Sequence, residues 1–442
     1  MFKKIFTMVL LVLFTAATVE AAAQGQQRGD QQQRGQRIGP RMTEEQILAT
    51  AKAIHEKAIT LDTHVDIAGG NYATKEMDPG SEDFARKCSL PKMEKGGLDG
   101  VFLAVFVGQG SLDEAGYARA YEQAMAKFDA IHRLTKEMHP DRCALALTAD
   151  DIEKIAKTGK RVIIIGVENG YPLGTDIKNV EKFYNLGARY ITLCHSGNNQ
   201  ICESSSGSGR RGRGEQVAEI APIKGISDFG KQVVAEMNRL GMMCDVSHIA
   251  DASFDDLIKI SKAPIIASHS GCRALTDSSR NLTDDQLKAL AKNGGVIQMV
   301  ALGSYLRPDP AAREAALKEM NFTILSDEEL AKLPETERQR YQRQKELIDR
   351  QYPATANLQA FVNHLEHAIE VAGIDHVGVG TDFDGGGGVP GFNDHSEALN
   401  VTIELVRRGY TEEQIIKIWG GNLLRVMREV KKVAQEIKAE GK

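Results

Sequence analysis

RVIIIGVENG, residues 161–170, runs from Arg161 through four consecutive aliphatic residues, passes Gly166 and Val167, and turns polar at Glu168 and Asn169 before Gly170. A strand with one wet face would alternate apolar and polar residues. An unbroken apolar run suits a strand covered on both sides, as in a parallel sheet flanked by helices. Seven further stretches read the same way: 58–66, 100–108, 188–196, 241–248, 263–270, 294–302 and 376–385. Amphipathic helical segments separate most of them, such as NVEKFYNLG, FGKQVVAEMNRLG and LTDDQLKALAKNG. Eight buried strands alternating with helices predict an α/β fold, a (β/α)8 TIM-like barrel with helical insertions.

The polar residues fall at the ends of these strands. LDTHVD (61–66) finishes in His64 and Asp66, which share one strand face because they are two apart. Glu168, His195, His248, His269, Asp382 and Asp384 close five others. The carboxyl ends of barrel strands form the active-site face, so these groups are expected to converge. Imidazoles and carboxylates gathered in a buried spot need either a hydrogen-bonded network or a positive ion to neutralise them. The mixture of imidazole and carboxylate without a thiolate cluster suits zinc ahead of manganese, cobalt or iron(II). There are enough groups for two ions, which one bridging carboxylate would join.

The chain ends speak to location. Lys3 and Lys4 precede an apolar run and an Ala-x-Ala pattern at Ala21–Ala23, so residues 1–23 read as a cleavable signal peptide. The charged C-terminus cannot serve as a glycolipid-anchor signal, and no membrane anchor is expected. Residues 24–41, QGQQRGDQQQRGQRIGPR, are too polar to bury anything and read as a disordered linker before a 42–442 barrel domain. Losing Lys3, Lys4 and Glu20 moves the net charge from −5 to −6, with no basic cluster to attract nucleic acid. The expected product is periplasmic or secreted. Its six cysteines have no regular spacing of a disulfide or zinc framework; export permits disulfides, and buried free thiols are at least an equal reading. Asn281, Asn321 and Asn400 each head an Asn-x-Ser/Thr triplet.

In order along the chain, DTHVD, VENG, YITLCHS, CDVSH, ASHS, RNLTDDQL, GVGTDFDG and GGNLLRV resemble the membrane (renal-type) dipeptidase family of the amidohydrolase superfamily. The resemblance spans residues 55–430 and implies a dipeptide substrate and two Zn2+ per chain, with a homodimer, common in the family, left open. It implies that His64 and Asp66 hold one ion, His248 and His269 the other, with Glu168 between them. It further implies that His195 steadies the tetrahedral intermediate and that Arg280 binds the free carboxylate of the dipeptide. Asp382 would take a proton from the metal-activated water, leaving the hydroxide that attacks, and pass it to the leaving amine, and Tyr305 would touch substrate. Asp384 is expected to hydrogen-bond a loop, and Asp245 to be structural.

Two features depart from the family. The cysteine expected soon after His195 is replaced by Gly197 and Asn198, so no family disulfide is carried over. Long insertions occupy 197–225 and 306–354, both leaving the catalytic end of the barrel, as a substrate lid or as solvated decoration. The same barrel also serves amidohydrolases acting on N-acyl amino acids or lactams. Arg280 bears on the choice, because a guanidinium for a free carboxylate one residue beyond the scissile bond is expected for dipeptide-like substrates.

Overall fold

The computed structural model describes residues 42–207, 223–307, 310–325, 330, 333–352 and 356–441. The expected signal peptide and linker lie outside these residues, as does most of the Gly/Ser/Arg part of the first insertion. Among the described residues, one compact unit begins at Leu48 and takes in the whole barrel.

Nine strands are present among the described residues: β1 Leu61–Asp66, β2 Gly100–Phe106, β3 Cys143–Leu145, β4 Arg161–Glu168, β5 Ala188–Thr192, β6 Met243–Asp245, β7 Ile266–Ser270, β8 Val296–Met299 and β9 Val377–Val379. Eight pair in the order β1-β2-β4-β5-β6-β7-β8-β9, and all of these pairings are parallel. The ring is joined just past β9, where Val65 bridges Phe383 and the Asp382 N–H donates to the His64 carbonyl at 3.0 Å. This is the expected barrel. The sequence reading missed β3, a three-residue strand that pairs only with the outer part of β4.

Register brings the strand tips level. Phe106 pairs with Glu168, Glu168 with Thr192 and Thr192 with Asp245. The buried patterns of β2 and β4 are nearly continuous, as the unbroken apolar runs require. Gly166 interrupts the aliphatic run of β4 for a steric reason. A Cβ there would overlap the Tyr190 ring, which lies stacked on Phe102 with centroids 5.5 Å apart. At the other end of the strands, Leu61, Val162, Met243 and Val296 share a core cluster with Leu423, Val426, Met427 and Val430 of the C-terminal helix Asn422–Glu440.

Helix boundaries follow local chemistry. Thr283 and Gln286 form a reciprocal capping box at the start of the helix Asp284–Lys292, and Gly241 ends Asp228–Leu240 in the left-handed region at φ 82°. The second insertion contains the helices Ala311–Glu319 and Glu335–Gln351, joined by an Arg313–Asp349 ion pair at 2.7 Å. No helix among the described residues is long and apolar enough to cross a membrane.

Candidate metal and active site

The predicted site residues meet at the carboxyl end of the barrel. Glu168, the last residue of β4, lies at the centre. Its Oε1 is 3.0 Å from His248 Nε2, 3.4 Å from His269 Nε2 and 3.5 Å from His195 Nε2. Its Oε2 is 3.3 Å from His64 Nε2, which lies 3.7 Å from Asp66 Oδ2 and 4.0 Å from Asp382 Oδ1. Three groups bring possible ligand atoms within 4.8 Å of one another: His64 with Asp66 and Glu168, Glu168 with His248 and His269, and His64 with His269 and Asp382. Glu168 belongs to the first two.

His195, His248 and Asp382 stand past the hydrogen-bonded ladders, on strand tails that bend inward. His248 and Asp382 have left-handed backbones, φ 72° and φ 60°, which L-residues adopt only when other contacts hold them. Those contacts are present. The His248 carbonyl accepts from the Ser205 N–H at 2.8 Å, and the Asp382 carbonyl accepts from the N–H groups of Gly385 and Gly387. Ser204 Oγ donates to the His195 carbonyl at 2.5 Å, so the loop after β5 ties down both histidines.

Hydrogen bonds behind the site choose the tautomers. Tyr190 Oη donates to the Thr63 carbonyl at 3.1 Å, so it accepts from His64 Nδ1 at 2.8 Å and leaves Nε2 bare toward the centre. Ser268 Oγ donates to Asp245 Oδ2 at 2.6 Å and faces His269 Nδ1 at 2.8 Å, with the same result for His269. Asp245 accepts from Ser247 and Ser268 N–H groups and from Thr192 Oγ1 as well, a structural role. Tyr190 and Ser268 went unnoticed in the sequence, although a tyrosine among aliphatic strand residues was the available signal.

Electrostatics favour a cation. Burial, helped by the nearby Arg280 charge, pushes the His248 and His269 imidazoles well below 6.5 into the neutral, ligating form. Burial lowers His195 too, against the pull of Glu168. Burial works against Glu168 ionising, yet the imidazoles of His64, His195, His248 and His269 hold it well below the usual carboxylate range. Burial also opposes a charged His64, but Tyr190, Glu168 and Asp66 raise it well above 6.5, so this point attracts a proton or another positive charge. Asp382 is pushed well above its ordinary value by burial and by its fellow carboxylates Asp66 and Glu168. Among the described residues, His64 Nε2 and Asp66 Oδ1 are buried without hydrogen-bond partners. Neutral imidazoles, crowded carboxylates and these two bare atoms fit a metal.

Arg280 is 7% exposed, donating to Ser270 Oγ at 3.1 Å and to the His269 carbonyl at 3.0 Å. Its buried Nε meets no partner among the described residues. Tyr305 lies beside it, the guanidinium 5.5 Å from the ring centroid. Asn281 ties this corner together: Oδ1 accepts from the Gly271 N–H, and Nδ2 donates to the Thr276 and Tyr305 carbonyls at 3.0 and 2.8 Å. At 1% exposed, Asn281 is a buried clamp rather than a surface sequon. Asp384 accepts from the N–H groups of Lys87 and Cys88, fastening the loop after β1. All six cysteines are free and buried. A separate cleft at the opposite end of the barrel, lined by Leu147, Tyr184, Arg189, Met427 and Arg428, contains none of the converging groups.

Comparison with known proteins adds independent findings. The sequence profile of the family described as "Membrane dipeptidase (Peptidase family M19)" matches residues 48–441. Dipeptidase ataJ of Aspergillus terreus is 31% identical over 366 residues, covering 80% of this chain and 78% of that protein. Dipeptidase tcpJ of Claviceps purpurea is 29% identical over 360 residues, covering 80% and 72%. The crystal structure of the probable dipeptidase PvdM from Pseudomonas aeruginosa matches with a TM-score of 0.75 and 30% identity, over 88% of this chain and 99% of that one.

Proposed function

Since the chain belongs to the membrane dipeptidase family, peptidase family M19, we propose that it is a two-zinc enzyme cleaving dipeptides that bear a free C-terminal carboxylate. The observation that supports this most is Glu168, whose two oxygens face two sets of side chains: Oε2 lies 3.3 Å from His64 Nε2, and Oε1 lies 3.0 and 3.4 Å from His248 and His269. In this reading His64 and Asp66 would hold one ion and His248 and His269 the second, with Glu168 available to both. When bound, the ions supply a nucleophilic water at neutral pH and polarise the scissile carbonyl.

The chain's own groups do the rest. Arg280 offers a desolvated planar fork for the substrate carboxylate, with Nε available and Tyr305 packed alongside. His195, its side chain 22% exposed, is the imidazole most open to the cleft, placed to donate to oxygen as negative charge develops there. Asp382, buried and raised by its neighbours, takes a proton from the attacking water and delivers it to the leaving nitrogen. Residues 1–23 would export the enzyme to the periplasm or medium.

The test is metal analysis of the purified protein together with a panel of L,L- and L,D-dipeptides, each with a free and an amidated C-terminus. Two zinc per chain and hydrolysis restricted to free carboxylates are expected. Cleavage of N-acyl amino acids or lactams in preference to dipeptides would overturn the substrate assignment.

A further inference from the structure

Asp62 and His395 form a fully buried pair behind the site, with His395 Nε2 2.8 Å from Asp62 Oδ2. Asp62 also accepts from the His64 N–H at 3.2 Å, the Thr381 N–H at 2.8 Å and Thr381 Oγ1 at 2.5 Å. One carboxylate therefore ties the tip of β1, which bears His64 and Asp66, to the turn after β9, which bears Asp382.

His395 is itself firmly placed. It begins the short turn His395–Glu397, capped by Asp394, and its N–H donates to the Lys87 carbonyl at 3.2 Å. Its own carbonyl lies against Gly96, where any Cβ would overlap it. The ring packs on Phe383 with centroids 5.0 Å apart. Its Nδ1 is buried and meets no hydrogen-bonding group among the described residues. A phenyl ring would fill this apolar niche without stranding a nitrogen, so what the imidazole adds is the single bond to Asp62.

We propose that Asp62 and His395 are a positioning pair that fixes His64 relative to Asp382, 4.0 Å apart, and through that spacing sets both metal affinity and turnover. Neither residue of the pair touches substrate. The kinetic part of this claim rests on the proposed dipeptidase activity, whereas the metal-binding part stands apart from it.

The experiment uses full-length protein and three variants: His395→Phe keeps the ring and loses the donor, His395→Gln keeps an N–H donor, and Thr381→Val removes the hydroxyl that shares Asp62. For each, kcat and KM on a dipeptide are measured, with Zn2+ affinity of the metal-free protein by chelator competition, and Tm. His395→Phe and Thr381→Val are expected to lower kcat and Zn2+ affinity about tenfold while KM stays within about twofold, and His395→Gln to restore most of both. The proposal is overturned if His395→Phe keeps both within about twofold of the parent, or if His395→Gln falls as far as His395→Phe. If His395→Phe does not fold, Thr381→Val decides, and parental affinity and kcat in that variant overturn the proposal. A parent protein that cleaves no dipeptide sinks the proposed function instead, and Zn2+ affinity still decides the role of the pair.

Discussion

The Nε2 atoms of His248 and His269 face each other across 2.9 Å. His269 already donates from its Nδ1 side to Ser268 Oγ, and burial keeps both rings neutral. The lone pair of His269 Nε2 and Glu168 Oε1 thus both face His248 Nε2, a cluster of three atoms that could serve one cation. Glu168→Gln keeps the shape and removes the charge. It is expected to lose at least one metal equivalent and most activity, about 100-fold or more. Metal content by mass spectrometry and kcat are the measurements, and full occupancy in this variant would remove Glu168 from the centre.

Asp382→Asn should separate holding metal from moving protons. The amide cannot accept and release a proton, so kcat is expected to fall by about 10²–10⁴-fold while bound zinc is retained. Unchanged turnover would end the proton-relay role of Asp382.

Arg280→Met removes the guanidinium from a buried corner. Hydrogen bonds to a charged group contribute about 1.5–3 kcal/mol, so KM for free dipeptides should rise about 10- to 100-fold. Steady-state kinetics on matched free and amidated substrates reads this directly. An equal loss on both would show that Arg280 does not recognise the carboxylate.

Tyr190→Phe takes away only the hydroxyl that fixes the His64 tautomer. Zinc affinity is expected to fall about 10- to 100-fold, while stability changes by only about 1 kcal/mol, one hydrogen bond. Chelator competition and urea denaturation give the two numbers. Unaltered affinity would mean that the orientation of His64 is set elsewhere.

A pH effect is expected at His364, away from the centre. Burial drives this imidazole down to about 4, against the opposing bond to the Leu306 carbonyl, with His367 lowering it further. The Cys272 N–H donates to its Nδ1 at 3.0 Å, which requires the neutral ring. Between pH 6.5 and 4 the unfolded chain binds a proton that the fold refuses, so stability declines as pH falls through that window. A lowering to about 4 corresponds to about 3 kcal/mol. His364→Gln keeps an acceptor and a donor but does not titrate, and its denaturation midpoint should fall less steeply with acid. Parallel slopes for the two proteins would exonerate His364.

Much of the fold was legible because burial on both faces leaves an unmistakable aliphatic run, as in Val162–Ile165. The ligand-bearing strand ends were legible because polar residues closing such runs are conspicuous. Less visible was where each ladder stops. β6 and β9 keep only three paired residues each before the backbone turns left-handed at His248 and Asp382, a geometry that no local residue pattern announces. β3 was missed since three residues pairing with one edge of β4 have too little pattern to read. The partnership of Asp62 with His395 spans 333 positions, and only three-dimensional structure brings such residues together.

Asn281 has a consequence for how the protein is made. Its amide is spoken for by Thr276 and Tyr305, and its triplet partner Thr283 caps the following helix. A host that attaches sugars during translocation meets the triplet while the chain is still unfolded, and a glycan there has no room in the finished barrel. Yeast or insect secretion would thus set sugar transfer against folding at the very corner that holds Arg280. Bacterial export avoids that contest.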